Sequence, residues 1–142
     1  MIRRGIVWIG IALLAALAGC NAEAERFLAV DVFVDAGERG LAAYQLDLRF
    51  PDAEIVGIEG GEPGSPFHEP PHHDPAALST GRVVIGAFTL DDSAPKARTR
   101  VARIHLLARG GTDRFQAAEV AAAAPGGDRI PARVEILTSG EN

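Results

Sequence analysis

The sequence predicts an all-β protein, an antiparallel β-sandwich of jelly-roll type, preceded by the helix of a cleaved signal peptide. Apolar and polar residues alternate with a period of two along several short segments, which is typical of strands with one buried face. Glycine and proline, 16 and 9 residues of 142, separate these segments at turn-like intervals. The only long uncharged apolar run lies near the N-terminus, so we expect no long helix in the mature domain.

Residues 1–19 are predicted to be a lipoprotein signal peptide. Arg3 and Arg4 precede an uncharged apolar run, which is shorter than the roughly 20 residues that a membrane-spanning helix needs. Residues 17–20, Leu-Ala-Gly-Cys, resemble the lipobox of bacterial lipoproteins. This resemblance implies cleavage before Cys20, which is the only cysteine, and attachment of acyl chains to it. The alternatives are an ordinary signal peptide with a chance cysteine, or an anchor that is not cleaved.

A lipidated tether, residues 20–26, would join the membrane to a domain over residues 27–138 and a tail, residues 139–142. Loss of the two N-terminal arginines takes the formal net charge from −5 to −7, which gives no support to nucleic-acid binding. An acidic domain is not drawn as a whole to an anionic bilayer, so the lipid would do the anchoring. Asn21 is not the Asp that typically retains Gram-negative lipoproteins in the inner membrane. The prediction is a lipid-anchored protein of the cell membrane, in the outer membrane, facing the periplasm or the cell surface.

The first half of the domain is predicted to contain three strands. The first is Phe27–Val34, where alternate apolar residues line one face. Leu41–Phe50 is the best patterned strand of the chain. Its core face is expected to carry Tyr44, Leu46, Leu48 and Phe50, and its outer face Ala43, Gln45, Asp47 and Arg49. Pro51 cannot donate a ladder hydrogen bond and ends this strand, and a short strand, Glu54–Ile58, follows.

Residues 60–81 form the longest irregular segment, because five prolines exclude a helix and a central strand. A loop of this length in a compact domain is often functional. Within it, Asp74 is placed to cap a single helical turn that begins at Pro75.

The second half of the chain is predicted to contribute four more strands. Arg82–Leu90 has apolar residues on both faces, so we predict a central strand. Arg100–Arg109, Arg114–Ala121 and Ile130–Leu137 complete the set. On the first of these three, the inward residues are Ala102, Ile104, Leu106 and Ala108, and the outward residues are Val101, Arg103, His105 and Leu107. The alanine-rich residues 117–124 have the propensity of a helix, but the strands and turns around them favour a strand.

Several segments resemble strands of cohesin domains, the nine-stranded jelly-roll modules that bind dockerins in cellulosomes. Gly-Leu-Ala-Ala-Tyr-Gln-Leu-Asp-Leu-Arg-Phe (40–50) and Ile-Val-Gly-Ile (55–58) are similar to the third and fourth strands. Gly-Arg-Val-Val-Ile-Gly-Ala-Phe (81–88) is similar to the sixth and Arg-Val-Ala-Arg-Ile-His-Leu (100–106) to the eighth. Phe-Gln-Ala-Ala-Glu-Val (115–120) resembles the segment before the final strand. The likeness covers nearly all of residues 27–137.

This resemblance implies a membrane-anchored, non-catalytic, cohesin-like protein-recognition module of the bacterial cell envelope. Its partner would be a dockerin-like or envelope protein, and no cofactor is implied. In cohesins the partner-binding face is formed largely by outward positions of strands three, five, six and eight. The binding residues expected here are Gln45, Asp47, Arg49, Ala87 and Arg103, with other outward residues of Arg82–Leu90 and the loop 60–81. Some cohesins carry Asn and Asp at the positions that match Ala43 and Gln45, whereas this chain has neither.

Two other functions remain open on the sequence. Related jelly rolls bind carbohydrate. However, Trp8 leaves with the signal peptide and Tyr44 is expected in the core, so few aromatic side chains remain to stack on sugars. A structural accessory lipoprotein of an envelope or secretion assembly would use the same sandwich only as a spacer.

Residues with catalytic or metal-binding chemistry are sparse. No serine lies in a Gly-x-Ser-x-Gly motif and the mature chain would have no thiol, so we expect no enzyme, although the many carboxylates leave a glycosidase-type pair open. The only concentration of metal-type ligands is His68, His72, His73 and Asp74. Their spacing matches no standard zinc pattern, so a solvated, proline-stiffened loop is the favoured interpretation and a metal site the weaker one.

Overall fold

The structure, a computed structural model, describes residues 24–110 and 114–139. The predicted signal peptide and Cys20 lie outside the described residues. The strands are β1 (Arg26–Asp35), β2 (Ala43–Arg49), β3 (Ala53–Gly60), β4 (Arg82–Phe88), β5 (Arg98–Ala108), β6 (Gln116–Ala123), β7 (Arg129–Ile130) and β8 (Arg133–Thr138). Two short 3-10 helices span Gly37–Arg39 and Pro75–Ala77. Within the described ranges, no helix has the length and apolar character needed to cross a bilayer.

The strands form two four-stranded antiparallel sheets, which confirms the predicted β-sandwich. The first sheet has the order β3-β5-β1-β8 and the second sheet the order β4-β2-β6-β7. The alanine-rich segment forms β6 beside β2, so its interpretation as a strand is confirmed. The prediction of one strand over Ile130–Leu137 is wrong. Pro131 has no N–H for a ladder, and the chain crosses there from β7 in the second sheet to β8 in the first.

The core lies between the sheets and is built from the apolar faces of alternating strands. The predicted alternation of the first two strands is confirmed. Val30, Val32 and Val34 of β1 are fully buried, and so are Leu46 and Leu48 of β2. Full burial of each such side chain contributes at most about 1.5–3 kcal/mol to stability.

One residue of β5, the longest strand, departs from the predicted alternation. The pattern predicts Val101 on the outer face, but its side chain is fully buried beside that of Ala102. The register between β1 and β5 shifts at this point, since Val32 pairs with Ala102 and Phe33 pairs with Arg100. Val101 is therefore the extra residue of a β-bulge, and two successive side chains of β5 turn inward.

The prediction that Arg82–Leu90 is a central strand is wrong. Its strand, β4, lies at the edge of the second sheet and ends at Phe88. Its apolar residues do occupy both faces, because Val83 and Ile85 are buried in the core whereas Val84 is 40% exposed and Phe88 is 66% exposed. The outward apolar side chains thus belong to an exposed surface and not to a second buried face.

The proline-rich loop 60–81 is tied to the sandwich along the edge of β4. Phe67 is buried in the core and packs edge-on against Tyr44, with 5.4 Å between the ring centroids. The backbones of His72 and Gly86 exchange two hydrogen bonds, of 2.9 and 3.0 Å. The helical turn predicted at Pro75 is confirmed as the second 3-10 helix. The loop is therefore part of the packed structure, and it covers an edge that would otherwise expose unpaired backbone groups.

Candidate binding surface

The outer face of the second sheet carries an open groove of about 560 Å³. The outward-facing residues of its floor are small except for one glutamine: Ala43, Gln45, Gly86, Ala121 and Ala123. The groove is lined on the side of β4 by His72, Val84 and Phe88. Arg129 of β7 lines the opposite side. We call these nine residues the groove.

The strand register explains why the floor is flat and mostly apolar. Ala43 of β2 pairs with Phe88 of β4 and with Ala123 of β6. Two residues further along β2, Gln45 has a glycine of β4 and an alanine of β6 as its partners. Side chains that pair directly across antiparallel strands project to the same face. Because most of these positions hold alanine or glycine, an approaching chain can come close to the sheet backbone.

The same face carries an ion-pair cluster around Asp47, towards the end of β2. Arg82 donates two hydrogen bonds to this carboxylate, from Nε to Oδ1 at 3.0 Å and from Nη2 to Oδ2 at 2.8 Å. Arg49 Nη2 lies 3.4 Å from Oδ2. The Asp47 side chain is consequently only 7% exposed, although it points to the outer face as the alternation predicts. The Asp47 carboxylate is therefore bound within the sheet, and it could bind a partner only if its hydrogen bonds with Arg82 were broken.

Two carboxylates on the outer faces of the sheets, the buried Asp47 and the partly buried Asp31, are held ionised by arginines. The hydrogen bond from Arg82 lowers the pKa of Asp47 below its ordinary value and outweighs the opposing effect of burial. Burial acts to raise the pKa of Asp31, but the hydrogen bond and charge of Arg103, with the charge of Arg100, bring that pKa below its ordinary value. A carboxylate with a lowered pKa stabilises the fold fully above its unfolded-state pKa, and this stabilisation is lost as the pH falls through the folded-state pKa.

We therefore expect the urea midpoint of unfolding to fall when the pH is lowered from about 6 to about 3. Asp47→Asn should make this fall smaller, because one of the carboxylates with a lowered pKa no longer titrates. Asp92→Asn, in an exposed loop, is the control and should leave the pH dependence unchanged. If Asp47→Asn shows the same pH dependence as the unmodified protein, the ion pair does not stabilise the fold.

Two of the five predicted binding residues do not present their side chains on this face. Ala87 borders the groove, but its side chain packs against the core, since alternate residues of β4 point inward. Arg103 lies on β5, in the opposite sheet. There its guanidinium binds Asp31, with Nε 2.7 Å from Oδ1 and Nη2 3.1 Å from Oδ2. The prediction of a single face from all five residues is wrong. The residues that do share a face are Gln45, Asp47 and Arg49.

Three of the four predicted metal-type ligands of the loop make local hydrogen bonds, and the fourth, His72, lines the groove. Nδ1 of His68 lies 2.8 Å from a backbone carbonyl three residues earlier, and Nδ1 of His73 lies 2.9 Å from one two residues earlier. Asp74 accepts a backbone N–H at 2.9 Å and so caps the second 3-10 helix, as predicted. Across residues 24–110 and 114–139, no group of three or more His, Cys, Asp or Glu is placed to hold a metal ion. The metal hypothesis for His68, His72, His73 and Asp74 therefore gains no support.

The functional interpretation depends on the groove itself, because no protein-family model, curated protein or solved structure matches the chain. The predicted binding face includes Gln45 and the outward residues of β4, but it lacks the residues that β6 and β7 contribute to the groove. The missed residues are Ala121, Ala123 and Arg129. The sequence does hold a signal for Ala121 and Ala123, because these small residues fall at alternate positions of the strand β6. Only the strand pairing, however, places them beside β2.

Proposed function

We propose that the protein is a non-catalytic recognition module, anchored to the envelope membrane by lipid at Cys20, that binds an α-helix of a partner protein in the groove. The observation that carries the proposal is the floor of alanine and glycine beside two exposed apolar side chains, Val84 and Phe88. Exposed apolar patches rimmed by polar residues are typical of interaction sites. Anchoring is supported by the likeness of residues 17–20 to a lipobox.

A helix suits the dimensions of this surface. The outer strands of the second sheet, β4 and β7, are three strand spacings apart, which is about 14 Å. An α-helix with its side chains is about 10–12 Å wide. Small floor residues let an apolar helix face approach closely, as in other complexes in which a helix lies in a groove. Sugar binding is favoured less, because Phe88 is the one Phe, Tyr or Trp residue of the groove with an exposed side chain, whereas the ring of Tyr44 beneath the floor is buried.

The cohesin-like, jelly-roll interpretation is part of this proposal and is supported by the sheet order. β2 and β4, which resemble the third and sixth strands of cohesins, are neighbours in the second sheet. The segment 100–106 cannot act as the eighth strand of the same face, because β5 lies in the first sheet. The other neighbour of β2 is β6, so β6 takes the position of the eighth cohesin strand in our proposal. The short bridge between His72 and Gly86 puts a loop segment outside β4, where a fifth strand would lie.

The test is site-specific photo-crosslinking of the full chain in living bacteria. A photoreactive p-benzoylphenylalanine is placed at Gln45, in the exposed floor of the groove, or at Leu137, which is 39% exposed on the outer face of the first sheet. We expect one dominant protein adduct from position 45, mapped by mass spectrometry to a helical segment of the partner. The control position should give no such adduct.

Ala121→Arg then tests the groove directly. A long charged side chain on the floor would block close approach of an apolar helix while the outward position leaves the core intact. We expect the adduct from position 45 to fall at least about tenfold, and thermal unfolding to remain cooperative. Equal adducts from both positions, or an adduct that Ala121→Arg leaves unchanged, would contradict recognition through the groove. Absence of any protein adduct would favour the role of a spacer.

A further inference from the structure

The N-terminal tether joins the sandwich at one end, which the strand pairing defines. Arg26, the first residue of β1, and Ala53, the first residue of β3, both pair with Ala108 of β5. The chain from the last residue of β2, Arg49, reaches β3 through only three residues. The start of β1 and the end of β2 therefore lie at the same end, which we call the tether end. The start of β2, with Phe88 opposite it, lies at the far end.

The tether end exposes an aromatic side chain. Phe27 is 79% exposed on the outer face of the first sheet, opposite the half-buried Leu107 of β5. Two further exposed apolar side chains lie near this end, Val56 in the first half of β3 and Leu78 in the adjoining loop. In the described part of the chain, no residue covers these apolar side chains close to the tether. Phenylalanine is among the apolar side chains by which segments that lie on a membrane insert at the boundary between lipid headgroups and acyl chains.

The charges at the tether end differ from those of the rest of the domain. The five arginines of this end are Arg26, Arg49, Arg82, Arg109 and Arg114. The five carboxylates of this end among residues 24–110 and 114–139 are those of Glu25, Asp47, Asp52, Glu54 and Glu119. These groups balance, although the chain without its first 19 residues has a formal net charge of −7, two less than the −5 of the full chain. The described residues outside this end carry seven Lys and Arg against eleven Asp and Glu, so this end meets less repulsion from an anionic bilayer than the rest of the described domain.

The tether is short. From Cys20 to Phe27 the chain advances seven residues, which span at most about 25 Å when fully extended. Acyl chains on Cys20 would hold the tether end within this distance of the bilayer, and the exposed Phe27 is the apolar group that the tether brings nearest to the lipid.

We propose that the tether end rests on the lipid bilayer, with Phe27 at the boundary between headgroups and acyl chains. This inference depends on the proposed lipid attachment at Cys20. β2 runs towards the membrane in this orientation, and its seven residues place Ala43 about 20 Å farther from the membrane than Arg49. The groove is then held clear of the lipid, at the end where a partner has access.

The experiment uses tryptophan as a depth probe in the lipidated full chain. Trp8 is the only tryptophan, so Trp8→Phe makes an inserted tryptophan unique whether or not the first 19 residues are removed. Phe27→Trp and the matched control Phe88→Trp, an exposed aromatic residue at the far end, are each prepared in this background. Both proteins are reconstituted in phosphatidylethanolamine–phosphatidylglycerol vesicles with brominated acyl chains, which quench only nearby tryptophans.

We expect the Phe27→Trp variant to show blue-shifted emission and quenching at least about twofold stronger than that of the Phe88→Trp variant. Mass spectrometry of the same samples establishes whether Cys20 carries acyl chains. A lipidated Cys20 with an unquenched Phe27→Trp variant, or with equal quenching of both variants, would overturn this inference alone. An unmodified Cys20 would overturn both the lipid anchoring and the orientation that depends on it.

Discussion

Leu46→Asp is expected to leave the domain unfolded at 25 °C. Leu46 is fully buried on β2, with Ile85 and Val120 as its neighbours across the sheet. A carboxylate at this position would lose its hydration without gaining a charged partner, since the arginines of β2 and β4 lie on the outer face. Protonation limits the cost to that of a buried neutral acid plus the lost apolar contacts, which together approach the 5–15 kcal/mol that separates a typical domain from unfolding. Circular dichroism should lose the sheet signal, and urea should give no cooperative transition.

The control for Leu46→Asp is Gln45→Asp, one residue earlier on the same strand. Gln45 points outward and is exposed, so the new carboxylate stays in water. We expect this variant to keep a cooperative transition close to that of the unmodified protein. Cooperative unfolding of both variants with similar midpoints would mean that Leu46 does not face the core.

Phe67→Ala is expected to lower the free energy of unfolding by about 3–5 kcal/mol. Phe67 belongs to the proline-rich loop but is only 2% exposed, and its ring packs edge-on against that of Tyr44. The substitution removes the apolar ring and leaves a cavity beneath the loop. Gly61 donates a hydrogen bond of 2.7 Å to the backbone carbonyl of Phe67. Alanine keeps this carbonyl but lacks the ring that holds the loop against the core. Urea denaturation measures the loss, and limited proteolysis should show faster cleavage within residues 60–81.

Phe88→Ala is the matched control, since it removes the same ring from a position that is 66% exposed. Its effect on the free energy of unfolding should stay within about 0.5 kcal/mol. A similar loss in both variants would contradict the burial of Phe67. Unchanged proteolysis of the loop in Phe67→Ala would show that other contacts, such as the backbone bridge from His72 to Gly86, suffice to hold the loop.

The strands could be predicted because alternation is a local property. A strand with one buried and one solvent-exposed face must place apolar residues at every second position. Leu41–Phe50 does so without exception after Ala43. The same local logic identified the capped turn at Pro75 and, from context, the strand in the alanine-rich segment. It failed at Val101, where a β-bulge puts two successive residues inward, because a bulge depends on the register with a neighbouring strand.

Outer-face chemistry was predicted less well, for a related reason. Alternation separates the two faces of one strand, but it does not say which strands lie side by side. Arg103 and Gln45 both point outward, yet they lie on opposite sides of the sandwich because β5 and β2 belong to different sheets. The apolar outer face of β4 had the same pattern as a central strand, and only its position at the sheet edge shows that Val84 and Phe88 are exposed.

The sequence by itself determined that this chain folds as a β-sandwich, which residues of β1 and β2 face its core, and where a lipid-anchoring motif is predicted. These features depend on residues close together along the chain. The tertiary structure alone decided that Ala43, Ala121 and Ala123 form one floor, that Asp47 is enclosed by Arg82, and that Phe67 closes the loop over the core. Each of these depends on pairing between segments that are far apart in sequence, and the order of strands in a sheet is set by the packing of the whole core.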